Sequence, residues 1–193
     1  MNAYAYEGLT FWSIFYLWIA AEIFFGMRAR RLKRGQQKNE NRDRGSIFLI
    51  IIGVYLLVLV SIVLSMNRLG LIPVWTRYVG FVLMIIGMVI RFSAIHQLGR
   101  FFSPVVGVVS DQELVQTGWY RWIRHPAYTG GWITAVGIGL GLRTWWGILV
   151  CGIGLLLIYA YRIHVEERAM VHHFGEKYLR YMQSTKRMFP GIW

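Results

Sequence analysis

Two short stretches of this chain hold side chains able to do chemistry, and a long apolar hairpin lies between them. The first carries Gln112 and Glu113, then Tyr120, Arg121, Arg124, His125 and Tyr128; the second carries Arg162, Glu166, Glu167 and Arg168. A hairpin returns to the side it left, so the two stretches converge, and His125 and Tyr128 can face Arg162 and the glutamates. Guanidinium, carboxylate, imidazole and phenol groups at the mouth of an apolar bundle make a polar pocket that can bind and orient a charged ligand. The same residue types also form the ordinary belt of a membrane interface, and the residues alone leave both readings open.

Other signals carry less. Gly137-Ile138-Gly139-Leu140-Gly141 imitates the glycine turn of a dinucleotide-binding fold. It lacks the preceding strand and the later acidic residue, and it sits in an apolar run, so it reads as close helix packing. His164, His172 and His173 do not form the His-Glu-x-x-His arrangement, and Cys151 is the single cysteine, so no metal is expected. There is no Walker loop and no Gly-x-Ser-x-Gly elbow. Glu22 stands within an apolar run, where a carboxylate is costly unless it is paired or faces a cavity. Both explanations stand for it.

The elements that must position these groups are membrane helices. The 193 residues are 56% hydrophobic and 16% charged, more apolar than one soluble core of this length needs. Apolar runs at 9–27, 47–66, 74–95, 129–142 and 145–161 predict an all-α integral membrane protein with about five transmembrane helices. Arg77 and Arg91, near the two ends of the third run, are placed to snorkel toward headgroups. The stretch 96–128 is expected to be a functional loop. Residues 164–188 carry Met170, Val171, Phe174, Tyr178, Tyr181 and Met182 at three- and four-residue spacing, which predicts an amphipathic helix lying on the inner surface and covering the pocket.

The net charge of +12 has a local cause. Eight of the 21 Lys and Arg residues fall in 28–44, directly after an apolar run and without the aromatic interleaving of a nucleic-acid groove. They read as an anchor to anionic membrane lipids, and no nucleic-acid partner is expected. Arg68, Arg77 and Arg143 alone fall on the opposite side. This asymmetry predicts a multi-pass protein with its N-terminus outside and its C-terminus and pocket cytoplasmic.

The run Gly118-Trp119-Tyr120-Arg121-Trp122-Ile123-Arg124-His125-Pro126-Ala127-Tyr128-Thr129-Gly130 resembles the Gly-x-Tyr...Arg-His-Pro-x-Tyr-x-Gly signature of the isoprenylcysteine carboxyl methyltransferase family and its phospholipid methyltransferase relatives. Glu166-Glu167, Phe174-Gly175, Tyr178, Tyr181 and Arg187...Pro190 resemble the closing pattern of that family, so the likeness covers roughly 100–190. It implies an N-terminal part, 1–98, with the basic loop 28–44, and a catalytic module, 99–193, with the C-terminal third of the chain building a cofactor pocket at the cytoplasmic face.

The resemblance further implies S-adenosyl-L-methionine as methyl donor, with S-adenosyl-L-homocysteine as product. The donor would be held by Gln112, Glu113, Leu114, Val115, Tyr120, His125, Pro126, Tyr128 and one of the paired glutamates, assigned to Glu167. Arg162, Glu166 and Glu167 are the implied catalytic set, with Arg162 on the substrate side. The implied acceptor is the carboxylate of a lipid-tailed, isoprenylcysteine-like molecule or prenylated peptide. A carboxylate is already ionised and needs no general base, whereas an amine acceptor does. The alternatives are a phospholipid amine N-methyltransferase and, because membrane sterol reductases carry a related C-terminal module, an NADPH-dependent sterol-type reductase.

Overall fold

The computed structural model describes residues 3–32, 44–103 and 112–191, and among them the regular structure is helical. The helices are α1 (Ala3–Leu32), α2 (Arg44–Met66), α3 (Thr76–Leu98), α4 (Pro126–Gly141), α5 (Trp145–Phe174) and α6 (Glu176–Ser184). Single 3-10 turns occupy Gly99–Phe101 and Gly118–Arg121. Most of the basic segment 28–44 and residues 104–111 of the 96–128 loop lie outside the described residues.

Among the described residues, α1, α2, α3 and α5 are long and apolar enough to cross a membrane. Their outward faces carry large apolar side chains such as Phe24, Ile52, Val89 and Leu157, all more than half exposed. That pattern suits lipid as the surrounding solvent. Helix α4 differs. Its 16 residues span about 24 Å, short of a hydrocarbon core of about 30 Å, and most of them are buried between α3 and α5.

Glycine makes that burial possible. A Cβ on Gly80 of α3 would meet the backbone N of Gly141 at 2.5 Å, and one on Gly130 of α4 would meet the backbone N of Arg91 at 2.5 Å. Backbone therefore lies on backbone along the whole α3–α4 seam. Gly137 faces α3, Gly141 faces the Phe11 ring of α1, and Gly139 backs onto Ile148 of α5. The glycine-rich run is thus helix packing, as its apolar setting implies.

One hydrophobic cluster packs Phe11 and Phe15 of α1 against Val58, Phe81, Met84, Ile138 and Leu142. Across the α2–α5 seam, the buried Cys151 thiol lies 3.2 Å from the Ser61 hydroxyl. Two expectations need correction. The amphipathic segment expected over 164–188 is two pieces: α5 runs unbroken to Phe174, Gly175 turns the chain at φ +53°, and only α6 then lies across the pocket. Arg91 does not snorkel: its guanidinium turns inward, donates Nη2 to Glu22 Oε2 at 2.9 Å, and reaches the Ala127 carbonyl through Nη1 at 3.0 Å.

Candidate active site

A cavity of about 520 Å³ lies within the bundle. Its apolar walls come from α1 and α2, including Ile23, Ile51 and Tyr55, and its polar end comes from the segment 112–128, α5 and α6. The polar end is held by short-range devices. At Gly118, with φ +59°, a Cβ would be strained and would displace the Gln97 side chain, whose Oε1 accepts from the Trp119 backbone N at 3.0 Å. Trp119 Nε1 donates to Ser93 at 2.9 Å, so the turn carrying Tyr120 is pinned onto α3. Pro126 begins α4, where its missing N–H costs nothing, and His125 is the residue just before that helix.

At the boundary between polar and apolar ends, the Tyr128 hydroxyl donates to Glu166 Oε1. Arg162 Nε donates to the same oxygen at 2.9 Å and to the Tyr128 hydroxyl at 3.4 Å. His125 Nδ1 is 3.7 Å from Glu166 Oε2, and its ring lies nearly parallel to Tyr128 at 5.7 Å. Tyr128 in turn packs on Tyr159 at 4.6 Å. His125 Nε2 is buried without a well-formed hydrogen bond, 3.4 Å from Glu167 Oε1.

Of the residues singled out in the sequence, Gln112, Glu113, Leu114, Val115, Tyr120, His125, Tyr128 and Glu166 form part of the cavity wall. Arg162, Glu167 and Pro126 stand behind it. Arg162 is 1% exposed, and Glu167 gives its two oxygens to Arg124 Nε at 2.8 Å and Arg187 Nε at 3.0 Å. The wall also contains Tyr178 and Tyr181 of α6, from the face expected to cover the pocket, and Glu22, which both lines the cavity and is paired; its pairing with Arg91, and Tyr159, were not foreseen from sequence. The pairing had a signal, since a carboxylate inside an apolar run demands a cation at its own depth.

Burial, reinforced by nearby carboxylates, pushes the phenols of Tyr120 and Tyr178 well above their ordinary range, and burial does the same for Tyr181. All three remain neutral hydrogen-bonding groups. Tyr181 donates to the Tyr120 carbonyl at 2.6 Å and ties α6 to the 118–121 turn.

Residues 75–177, more than half the chain, match the phospholipid methyltransferase family. The chain belongs to that family. Its relatives include the protein-S-isoprenylcysteine O-methyltransferase of Saccharomyces cerevisiae, 35% identical over 115 residues, which cover 58% of this chain and 48% of that protein. A probable protein-S-isoprenylcysteine O-methyltransferase of Oryza sativa subsp. japonica is 37% identical over 120 residues, 61% of this chain and 63% of that one. The Homo sapiens protein-S-isoprenylcysteine O-methyltransferase is 31% identical over 124 residues, 61% of this chain and 42% of that one. The chain thus spans from about two fifths to just under two thirds of these relatives' lengths. The solved structure of the eukaryotic intramembrane Ras methyltransferase, isoprenylcysteine carboxyl methyltransferase, superposes with a TM-score of 0.67 at 22% identity, covering 94% of this chain and 65% of that one. The fold is therefore shared with an intramembrane methyltransferase.

Proposed function

We propose that this protein transfers a methyl group from S-adenosyl-L-methionine to the carboxylate of a lipid-tailed, isoprenylcysteine-like acceptor at the cytoplasmic face of a membrane. The observation that carries the reading is one cavity with a polar end and apolar walls from α1 and α2, with the Tyr128–Glu166–Arg162 cluster where the two meet. A water-borne donor and a lipid-borne acceptor need that junction.

The residues present fit such a donor. The cavity's size lies in the range of small-molecule sites, and beside the Glu22 carboxylate paired with Arg91 its wall offers Glu113 and Glu166 for an amine, ribose hydroxyls or a sulfonium. The tyrosine faces beside them suit a cation. When bound, S-adenosyl-L-methionine supplies an electrophilic methyl group on a sulfonium and is released as S-adenosyl-L-homocysteine. Gln112, Glu113, Leu114, Val115, Tyr120, His125 and Tyr128 would hold it, with Glu166 as the glutamate in contact; Pro126 and Glu167 serve from behind. Arg162 fixes Glu166 and the Tyr128 hydroxyl and offsets the Glu166 charge where an anionic acceptor must approach. Arg91 and Arg124 add positive charge to the wall, and no general base is required of it. Closing the bundle over the site excludes water, which favours a displacement that cancels charge.

The topology consistent with this reading has five crossings, α4 shielded among them, the N-terminus outside and the 28–44 segment against anionic headgroups. Residues 99–193 then supply most of the polar groups, joined by Glu22 and Arg91, and 1–98 supply much of the apolar wall. Calorimetric titration of detergent-purified protein with S-adenosyl-L-homocysteine, with NADPH in parallel, is the first test. Binding of the first alone, followed by methylation of N-acetyl-S-farnesylcysteine over phosphatidylethanolamine, is expected. Methylation of the phospholipid amine alone would replace the acceptor, and binding of NADPH alone would replace the reaction.

A further inference from the structure

The segment following α6 runs alongside the stretch that carries His125. Arg124 N donates to the Lys186 carbonyl at 2.8 Å, His125 N to the Arg187 carbonyl at 2.9 Å, and Lys186 N to the Trp122 carbonyl at 3.3 Å. Beyond it, the Thr129 hydroxyl donates to the Met188 carbonyl at 2.7 Å, and the Met188 side chain is fully buried. The chain terminus is thus sewn as a strap onto the segment that ends at α4.

Side chains knot the same three pieces together through Glu167. Its side chain is 5% exposed; one oxygen takes Arg124 Nε and faces His125 Nε2, and the other takes Arg187 Nε from the strap. Arg124 also reaches the Met182 and Thr185 carbonyls. Glu167 and Arg187 do not line the cavity, but Arg124 and His125 do. A charge this buried is stable only while its partners stay in place, so the geometry of each partner is coupled to the others.

We propose that Glu167 and Arg187 are positioning residues of the donor pocket: the strap's Arg187, acting through Glu167, holds Arg124 and His125 at the cavity wall. The proposal rests on the methyl-transfer reading above, and it deepens it by making donor affinity depend on a residue that never meets the donor.

The test uses the full chain in detergent, with Arg187→Gln, Arg187→Lys, Glu167→Gln and the Glu167→Gln/Arg187→Gln double variant. Affinity for S-adenosyl-L-homocysteine, and KM for the donor and kcat with a farnesylated acceptor, are measured together with the thermal midpoint. Arg187→Gln is expected to weaken donor affinity about tenfold with kcat within about twofold of the parent, and Arg187→Lys to recover most of the loss. The double variant is expected to be no weaker than the worse single, as two ends of one linkage require. Unchanged donor affinity in Arg187→Gln, or independent multiplying losses in the double variant, overturns the proposal while leaving the methyl-transfer reading intact. A parent protein that binds no S-adenosyl-L-homocysteine overturns both. If Arg187→Gln does not fold, Arg187→Lys alone decides: near-parent donor KM supports the linkage, and a loss as large as that of Glu167→Gln overturns it.

Discussion

Removing Glu22 should cost far more than removing the whole pair it belongs to. Glu22 and Arg91 keep 29% and 16% of their side chains exposed, and the cavity they line can admit water. Breaking a buried pair by deleting one partner costs about 3–5 kcal/mol because the other charge is stranded. Partial access to cavity water screens that penalty, so about 2–3 kcal/mol is expected for Glu22→Ala. At this chain length that corresponds to a fall of about 4–12 °C in the thermal midpoint. Glu22→Leu/Arg91→Leu leaves no stranded charge. It gives up the bond to the Ala127 carbonyl, worth about 1 kcal/mol, and gains apolar contact among α1, α3 and α4. Its midpoint should lie within about 4 °C of the parent. The assay is thermal unfolding of purified protein in detergent, followed by intrinsic tryptophan fluorescence. A Glu22→Ala midpoint equal to the parent's, or a double variant worse than the single, would refute the idea that this pair anchors α1 to the α3–α4 seam by charge.

Three further outcomes follow from contacts already described. Gly130→Ala drives a Cβ into the Arg91 backbone and should cost about 3 kcal/mol or more, whereas Gly152→Ala, whose nearest neighbour is a Val136 methyl at 3.5 Å, should change stability by less than about 1 kcal/mol; paired unfolding midpoints check this. Tyr128→Phe removes a donor to Glu166 and an acceptor for Arg162, so kcat should fall about 10- to 100-fold with the fold retained, checked by turnover alongside donor affinity. Because the Tyr120, Tyr178 and Tyr181 phenols stay protonated in the folded protein at pH values where unfolded phenols ionise, the unfolded state binds fewer protons there. Stability should therefore fall as pH rises above about 10, and the drop should shrink in Tyr178→Phe when midpoints at pH 9 and 11 are compared.

The sequence is legible where local chemistry decides and opaque where helix phase decides. Long apolar runs bounded by charge give α1, α2, α3 and α5 almost directly, because length and hydropathy are local quantities. The Arg-His-Pro segment and the glutamates announce themselves because polar side chains crowd around one hairpin. The end of α5 does not, since apolar spacing continues through Phe174, Tyr178 and Tyr181 across the turn at Gly175. The inward turn of Arg91 depends on α1 lying against α3 at the depth of Glu22, a tertiary fact that neither span carries by itself.

The paired glutamates show the same limit most sharply. Glu166 and Glu167 are adjacent on α5, so their side chains leave the helix about 100° apart, and here only Glu166 reaches the cavity wall. Sequence gives two equal carboxylates. Their difference comes from what anchors α5 on either side: Tyr128 of α4 and Arg162, one turn back, claim Glu166 at the wall, while Arg124 and Arg187 claim Glu167 behind it. The consequence is a division of labour between neighbours of identical chemistry. Glu166→Gln should alter the site's charge where donor and acceptor meet and so lower kcat, and Glu167→Gln should loosen the strap and so weaken donor affinity at nearly unchanged kcat. Kinetic profiles of the two variants that coincide would mean that helix phase does not separate their roles.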